Sequence, residues 1–237
     1  MSFSHFYLVG LIVTALSSLW VGLFVYSKSP GRTLNRSWGL LGVSVSAWSL
    51  GTALMILAPS HGQGLLWARF SHIGASLIPV SYLHFIYALL KIKVSTGKKL
   101  VMYGVGLTFA LMSSTPLVVG NITPKNWFSY YFEPGPYYGL FTLHFFGWVF
   151  YATWLKLKAL RTLSGLHLNQ LRYVLLAAIL GFVSGSTTFP LVFDIPFPPF
   201  GNFVFMYVAI ITWAIVRHHL MDIRIALTRG AIFVIVY

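Results

Sequence analysis

Seven apolar stretches, each close to the thickness of a bilayer's hydrocarbon core, constrain this chain more than any other feature. They cover roughly residues 6–26, 38–58, 64–90, 100–119, 137–155, 172–193 and 201–216. A helix needs about 20 mostly apolar residues to cross that core. Only 8% of the 237 residues are charged, whereas soluble domains carry about a quarter, so a water-facing surface cannot be built from this chain. The reading is an all-α polytopic membrane protein, a seven-transmembrane helix bundle whose first partner is the lipid bilayer. The first stretch does not read as a signal peptide, because Lys28 follows it and no basic residue leads it.

Charge supplies the orientation. There are 16 Lys and Arg against 3 acids, a net charge of +13. Such a balance elsewhere suggests nucleic acid, but here the cations sit in short clusters after every second span. Lys28, Arg32 and Arg36 follow the first, and Lys91, Lys93, Lys98 and Lys99 the third. Lys156, Lys158, Arg161 and Arg172 follow the fifth, and Arg217, Arg224 and Arg229 the seventh. Only Arg69 and Lys125 fall elsewhere, so 14 of 16 lie on one side. The positive-inside rule then puts the N-terminus outside and the C-terminus in the cytoplasm. Nucleic acid is excluded as a partner.

The outer connections, residues 120–136 and 190–200, are rich in aromatics and Pro and hold Glu133 and Asp194. Aromatic side chains favour the headgroup level. A glycosylation sequon, Asn121 to Thr123, lies on this side and matters only in a secretory-pathway organism. Residues 1–217 form the membrane domain and residues 218–237 a cytoplasmic juxtamembrane segment. An apolar run resumes after Arg229 and stops at Tyr237, too short to cross. It reads as the truncated start of an eighth helix or of an apolar linker.

Little enzymatic chemistry is available. There is no Cys, and the three acids Glu133, Asp194 and Asp222 lie in separate connections. Paired carboxylates and metal ligands need convergence, and no P-loop, zinc-protease or nucleophile-elbow spacing occurs. No catalytic residue, metal or cofactor is read from the chain.

What stands out instead is a polar stripe. Arg69, His72, Ser76 and Pro79 follow helical spacing on the third span, as do Tyr137, Phe141, His144 and Trp148 on the fifth. Ionisable groups at membrane depth usually face the bundle or a wet cavity. One reading is an outer ligand pocket of Arg69, His72, Ser76, His144, Trp148 and Asp194, with Arg69 paired to Asp194 or Glu133 or attracting an anion. The other is that Arg69 snorkels to the headgroups and the histidines bond across helices. Pro79 should free a carbonyl that a neighbour must satisfy. Ala177, Gly181 and Gly185 make a small-residue ladder that reads as a packing face, with a homodimer seam as the sharper alternative. His218 and His219 read as a solvated turn below the last span.

The stretch 199–229 resembles the end of the N-terminal seven-helix region of bacterial histidine kinases. The resemblance rests on Pro198 and Pro199, on Gly201 opening the last helix, on Tyr207 to Ile210, and on Arg217 with Leu220 to Ile223. Arg69 at the head of the third span and Pro136 to Gly139 opening the fifth fit it as well. It implies a sensory input domain in the bacterial cytoplasmic membrane that binds an unknown small ligand. Arg217, Leu220, Asp222 and Arg224 would relay the signal to C-terminal kinase or cyclic-dinucleotide-synthesising domains missing from this sequence. A transporter or channel is the rival reading, weakened by the absence of internal halves. The topology has a direct check in a Cys-free chain: a cysteine at Gly97 should resist labelling from outside intact cells, and labelling there would invert the assignment.

Overall fold

The computed structural model describes residues 3–218 and 220–222, and 75% of the chain is helical. Seven long helices carry the fold: α1 (Phe3–Lys28), α2 (Thr33–Ile56), α3 (His61–Leu89), α4 (Thr96–Ser113), α5 (Tyr138–Ala159), α6 (Gly165–Ser186) and α8 (Met206–His218), with a short α7 (Phe189–Val192) between the last two. Among the described residues five segments are long and apolar enough to cross a membrane: α1, α2, α3, Gly165–Val192 and Gly201–His218. Helices α4 and α5, each carrying two lysines, are not among them. The apolar run after Arg229 lies outside the described residues.

Local chemistry sets the start of α4 and shapes α3. Ser95 caps α4 by accepting from the Lys98 amide at 3.3 Å. α3 runs through Pro79 without a break. The Ser76 carbonyl, next to the one that Pro79 leaves without a helical donor, takes a side-chain donor from α5.

Two expectations shift. The fourth helix stops at Ser113 rather than near 119, and the outer connection after it folds as an antiparallel hairpin of β1 (Val119–Lys125) and β2 (Phe128–Pro134). The strands are rich in β-branched and aromatic residues. Their two-residue turn has Asn126 at φ 48°, a left-handed position that Asn tolerates. Lipid cannot satisfy strand edges, so a hairpin belongs at a membrane surface, which the aromatic composition of this segment also favours. It lies across the ends of α1 and α3: Trp127 packs on Phe3, and Phe132 sits edge-on to His72 at 4.5 Å.

Helix contacts use small residues. Apolar surface gains nothing by leaving lipid, so association depends on close backbone approach and interhelical hydrogen bonds. α2 lies between α1 and α3. A Cβ at Gly42 would come 2.5 Å from the Ser18 carbonyl oxygen, and one at Gly51 would come 2.8 Å from Ser71 Cα. At the second contact Ser71 Oγ donates to the Trp48 carbonyl at 2.9 Å and lies 2.8 Å from Thr52 Oγ1. The Ala177–Gly181–Gly185 ladder faces α8, with Tyr207 Cβ 3.3 Å and Val204 Cγ2 3.8 Å from the Cβ positions at Gly181 and Gly185. That is the packing role, inside one chain.

The connection after α6 is tied down by Lys125, at the end of β1. Its side chain is 6% exposed, and its ammonium donates to the carbonyls of Leu191 (3.3 Å) and Val192 (2.8 Å) at the end of α7. It also meets Asp194 at 2.8 Å. Beside it the Tyr131 hydroxyl donates to the Thr188 carbonyl at 3.0 Å, and burial pushes that phenol well above its usual range.

Two outcomes follow from this packing. Gly51→Leu drives a side chain into the Ser71 backbone and should cost about 1–3 kcal/mol or more of bundle stability, read by thermal unfolding in detergent. Lys125→Met leaves the Val192 carbonyl without a donor, while the Leu191 carbonyl keeps the Asp194 amide at 3.3 Å, and should cost about 1–3 kcal/mol. The Asp194 carboxylate is 81% exposed, so Asp194→Asn should cost under about 1 kcal/mol. Equal losses from both variants would make the ion pair, not the carbonyl capping, the anchor.

Candidate functional site

The bundle encloses an apolar cavity of about 90 Å³, walled by α2, α3, α5, α6 and α8 and topped by Phe132 of the hairpin. Small residues make the room. Ala75 lies on the α3 side, and Ala177, Ala178, Gly181 and Gly185 form the α6 side, while Phe141, Phe145, Phe182 and Phe189 supply aromatic surface. α6 packs on α8 and barely touches α5. Phe145 and Phe182, 6.1 Å apart between ring centres, bridge α5 and α6.

His72 is the one predicted ligand residue that borders this cavity. Its Nδ1 donates to the Ala68 carbonyl at 3.0 Å, so Nε2 accepts from the Tyr138 hydroxyl at 3.2 Å. Phe132, Tyr138 and Phe141 surround the ring. Ser76, His144 and Trp148 stand behind it as one network joining α3 to α5. Nε2 of His144 donates to the Ser76 carbonyl at 3.0 Å, and its Nδ1 accepts from Trp148 Nε1 at 3.1 Å. Ser76 Oγ donates to the His72 carbonyl at 2.7 Å and lies 3.4 Å from Ser113 Oγ on α4. Both histidines bond across helices.

Arg69 and Asp194 do not join this group. Asp194 pairs with Lys125, and Glu133 accepts from the Thr123 hydroxyl at 3.0 Å within the hairpin. The pairing expected of Arg69 with either acid is therefore absent among the described residues. The hairpin register brings Thr123 beside Glu133, and Lys125 reaches Asp194 first. Arg69 is half-buried in a separate hollow near the start of α3, beside Leu65, Leu66 and Ser114, and its Nε has no acceptor among the described residues.

At the end of the bundle away from the hairpin the structure adds a residue that the sequence reading assigns to a cytoplasmic cluster. Lys156 lies within α5, fully buried, and donates to the Tyr82 hydroxyl on α3. The local signal for this was only its spacing: Lys156 is eight residues after Trp148, on the same face as the buried Val149 and Ala152.

The base of α8, where the predicted relay residues begin, is held to α6 through His218. Gln170 Nε2 donates to the His218 carbonyl at 2.8 Å, and the His218 ring lies 4.7 Å from Tyr173. Arg217 is exposed in the last turn of α8, and Leu220 is fully buried. Asp222 belongs to the turn Leu220–Asp222, whereas His219 and Arg224 lie outside the described residues.

The motif residues of the last helix have clear structural work. A Cβ on Gly201 would come 2.9 Å from both Thr188 Cγ2 and the Tyr7 hydroxyl, so glycine is needed there. The Tyr207 hydroxyl donates to Ser18 Oγ on α1 at 2.9 Å while its ring lines the cavity. No curated protein matches the chain. The family described as the N-terminal 7TM region of histidine kinase matches residues 10–224, and the chain belongs to that family.

Proposed function

We propose that this region is the sensory input of a histidine kinase, spanning the bacterial cytoplasmic membrane seven times with its N-terminus outside. In this reading a small ligand occupies the central cavity, and α8 carries the resulting change to the cytoplasmic segment after Arg217, residues 218–237. One observation carries the proposal: the cavity wall includes Tyr207 and Ile211 of α8, the helix that leads to the C-terminal side. A ligand that contacts α8 on one side and α2, α3 and α5 on the other acts on their relative placement. A shift of population needs only a difference in affinity between two arrangements.

Within this reading His72 is the outer polar contact of the ligand, and Ser76, His144 and Trp148 keep its helix in place. Arg69 and Asp194 act at the outer surface. Arg217, Leu220, Asp222 and Arg224 make the relay, and kinase domains beyond it are the output partners. The 14-to-2 division of cations supports the orientation, even with Lys156 inside the bundle.

Filling the cavity imitates a ligand without knowing it. Ala178 lines the cavity, whereas the neighbouring Ile179 is 49% exposed on the outer face of α6. With this region joined in frame to a histidine-kinase core, Ala178→Phe should change autophosphorylation by about threefold or more, a shift of ~0.7 kcal/mol between two states. Ile179→Phe should leave it unchanged. Unchanged output from Ala178→Phe, with normal membrane insertion, would remove the cavity as the sensing element.

A further inference from the structure

Lys156 sits within one turn of the end of α5, where a lysine ordinarily extends towards headgroup water. Here it turns into the bundle: it is fully buried, its ammonium donates to Tyr82 Oη, and it lies 5.1 Å from the centre of the Tyr82 ring. No carboxylate pairs with it among the described residues; Asp194 and Glu133 are engaged in the outer connections. A buried cation without a counter-charge is expensive and marks a functional site by default.

Its partner is the cavity wall. Tyr82 lines the cavity, and its oxygen receives the Lys156 proton. The Tyr82 hydroxyl hydrogen then has no acceptor among the described residues. Trp38, 3% exposed, lines the same cavity, and its indole N–H also donates to nothing. Phe85, one turn on from Tyr82, packs against Trp38 with ring centres 5.1 Å apart. Two residues of the cavity wall therefore each carry an unspent donor among the described residues, one of them polarised by a cation. A buried donor left unmade costs about 1–3 kcal/mol. Elsewhere the walls are mostly apolar.

We propose that the cavity binds a single-chain amphiphile with a carboxylate head. The carboxylate oxygens accept from the Tyr82 hydroxyl and the Trp38 indole, and the Lys156 ammonium balances the charge through Tyr82. The hydrocarbon chain lies along Ala178, Phe145 and the α6 ladder. The volume of about 90 Å³ admits one chain segment and not the paired chains of a phospholipid. The proposal rests on reading the cavity as the sensory site.

The test uses the purified chain in phosphatidylcholine nanodiscs, with radiolabelled laurate as probe and 1-dodecanol as its neutral counterpart. Wild type should bind laurate saturably and bind dodecanol about tenfold or more weakly, a gap of ~1.4 kcal/mol. Tyr82→Phe and Lys156→Met should each weaken laurate by about tenfold and leave dodecanol unchanged. Tyr82→Phe keeps the ring, so it decides the matter if Lys156→Met fails to fold. Equal affinity for the two probes overturns the proposal. So does wild-type laurate affinity in Tyr82→Phe, or displacement of laurate when the discs are made of phosphatidylglycerol. If head selectivity fails while Ala178→Phe still alters kinase output, the carboxylate is wrong and the sensory cavity stands. If both fail, the cavity reading falls as well.

Discussion

Inside a membrane, apolar surface gains nothing by turning from lipid to protein, so the architecture depends on how closely backbones can approach. In this chain the decisive approach is that of α2 to its two neighbours. Gly42 lies against Ser18 and Gly22 of α1, and Gly51 lies against Ser71 of α3. Ser71 and Thr52 add hydrogen bonds where the backbones meet. These contacts make α1, α2 and α3 one unit, and the inner face of α2 and α3 becomes a fixed wall. α6 uses the same device on α8, with Gly181 under Tyr207. The cavity lies between these close-packed groups, where the small residues of α6 leave space.

Polar groups within the bundle hold it in register. Pro79 removes a helical hydrogen bond from α3, and His144 donates to the neighbouring Ser76 carbonyl from α5. His72 closes a second bridge through Tyr138. Where the hairpin meets α7 the energetic weight lies in capping more than in the ion pair. Lys125 is buried and satisfies two carbonyls of α7, while Asp194 stands in solvent, where attraction is screened. The hairpin and the short helix are thus fastened together over the open end of the bundle.

The cavity wall is also tied to the other helices. Tyr207 touches the cavity with its ring and α1 with its hydroxyl, and Gln170 of α6 holds the final carbonyl of α8. For a histidine-kinase input region this is an economical layout, since α8 is both a wall of the cavity and the route to the C-terminal side. Tyr82 and Trp38 bring polar groups to a cavity wall that is otherwise mostly apolar, and Lys156 donates to the Tyr82 hydroxyl.

Apolar length, the placement of cations and the short motifs of the last helix are local properties, so the membrane class, the helices and the family were readable from the residues alone. The bonding of His72 and His144 across helices was readable too, because helical spacing places Arg69, His72, Ser76 and Pro79 on one face. Spacing names a face but not what meets it. Only the tertiary structure could pair Lys125 with α7 and Asp194, leave Arg69 apart from both acids, and fold residues 119–134 as a hairpin. Lys156 is the sharpest case. By position it reads as a cytoplasmic anchor, yet Tyr82, 74 residues earlier, offers its hydroxyl inside the bundle. A long flexible ammonium goes wherever an acceptor is built for it, and that acceptor exists only once α3 and α5 are packed side by side.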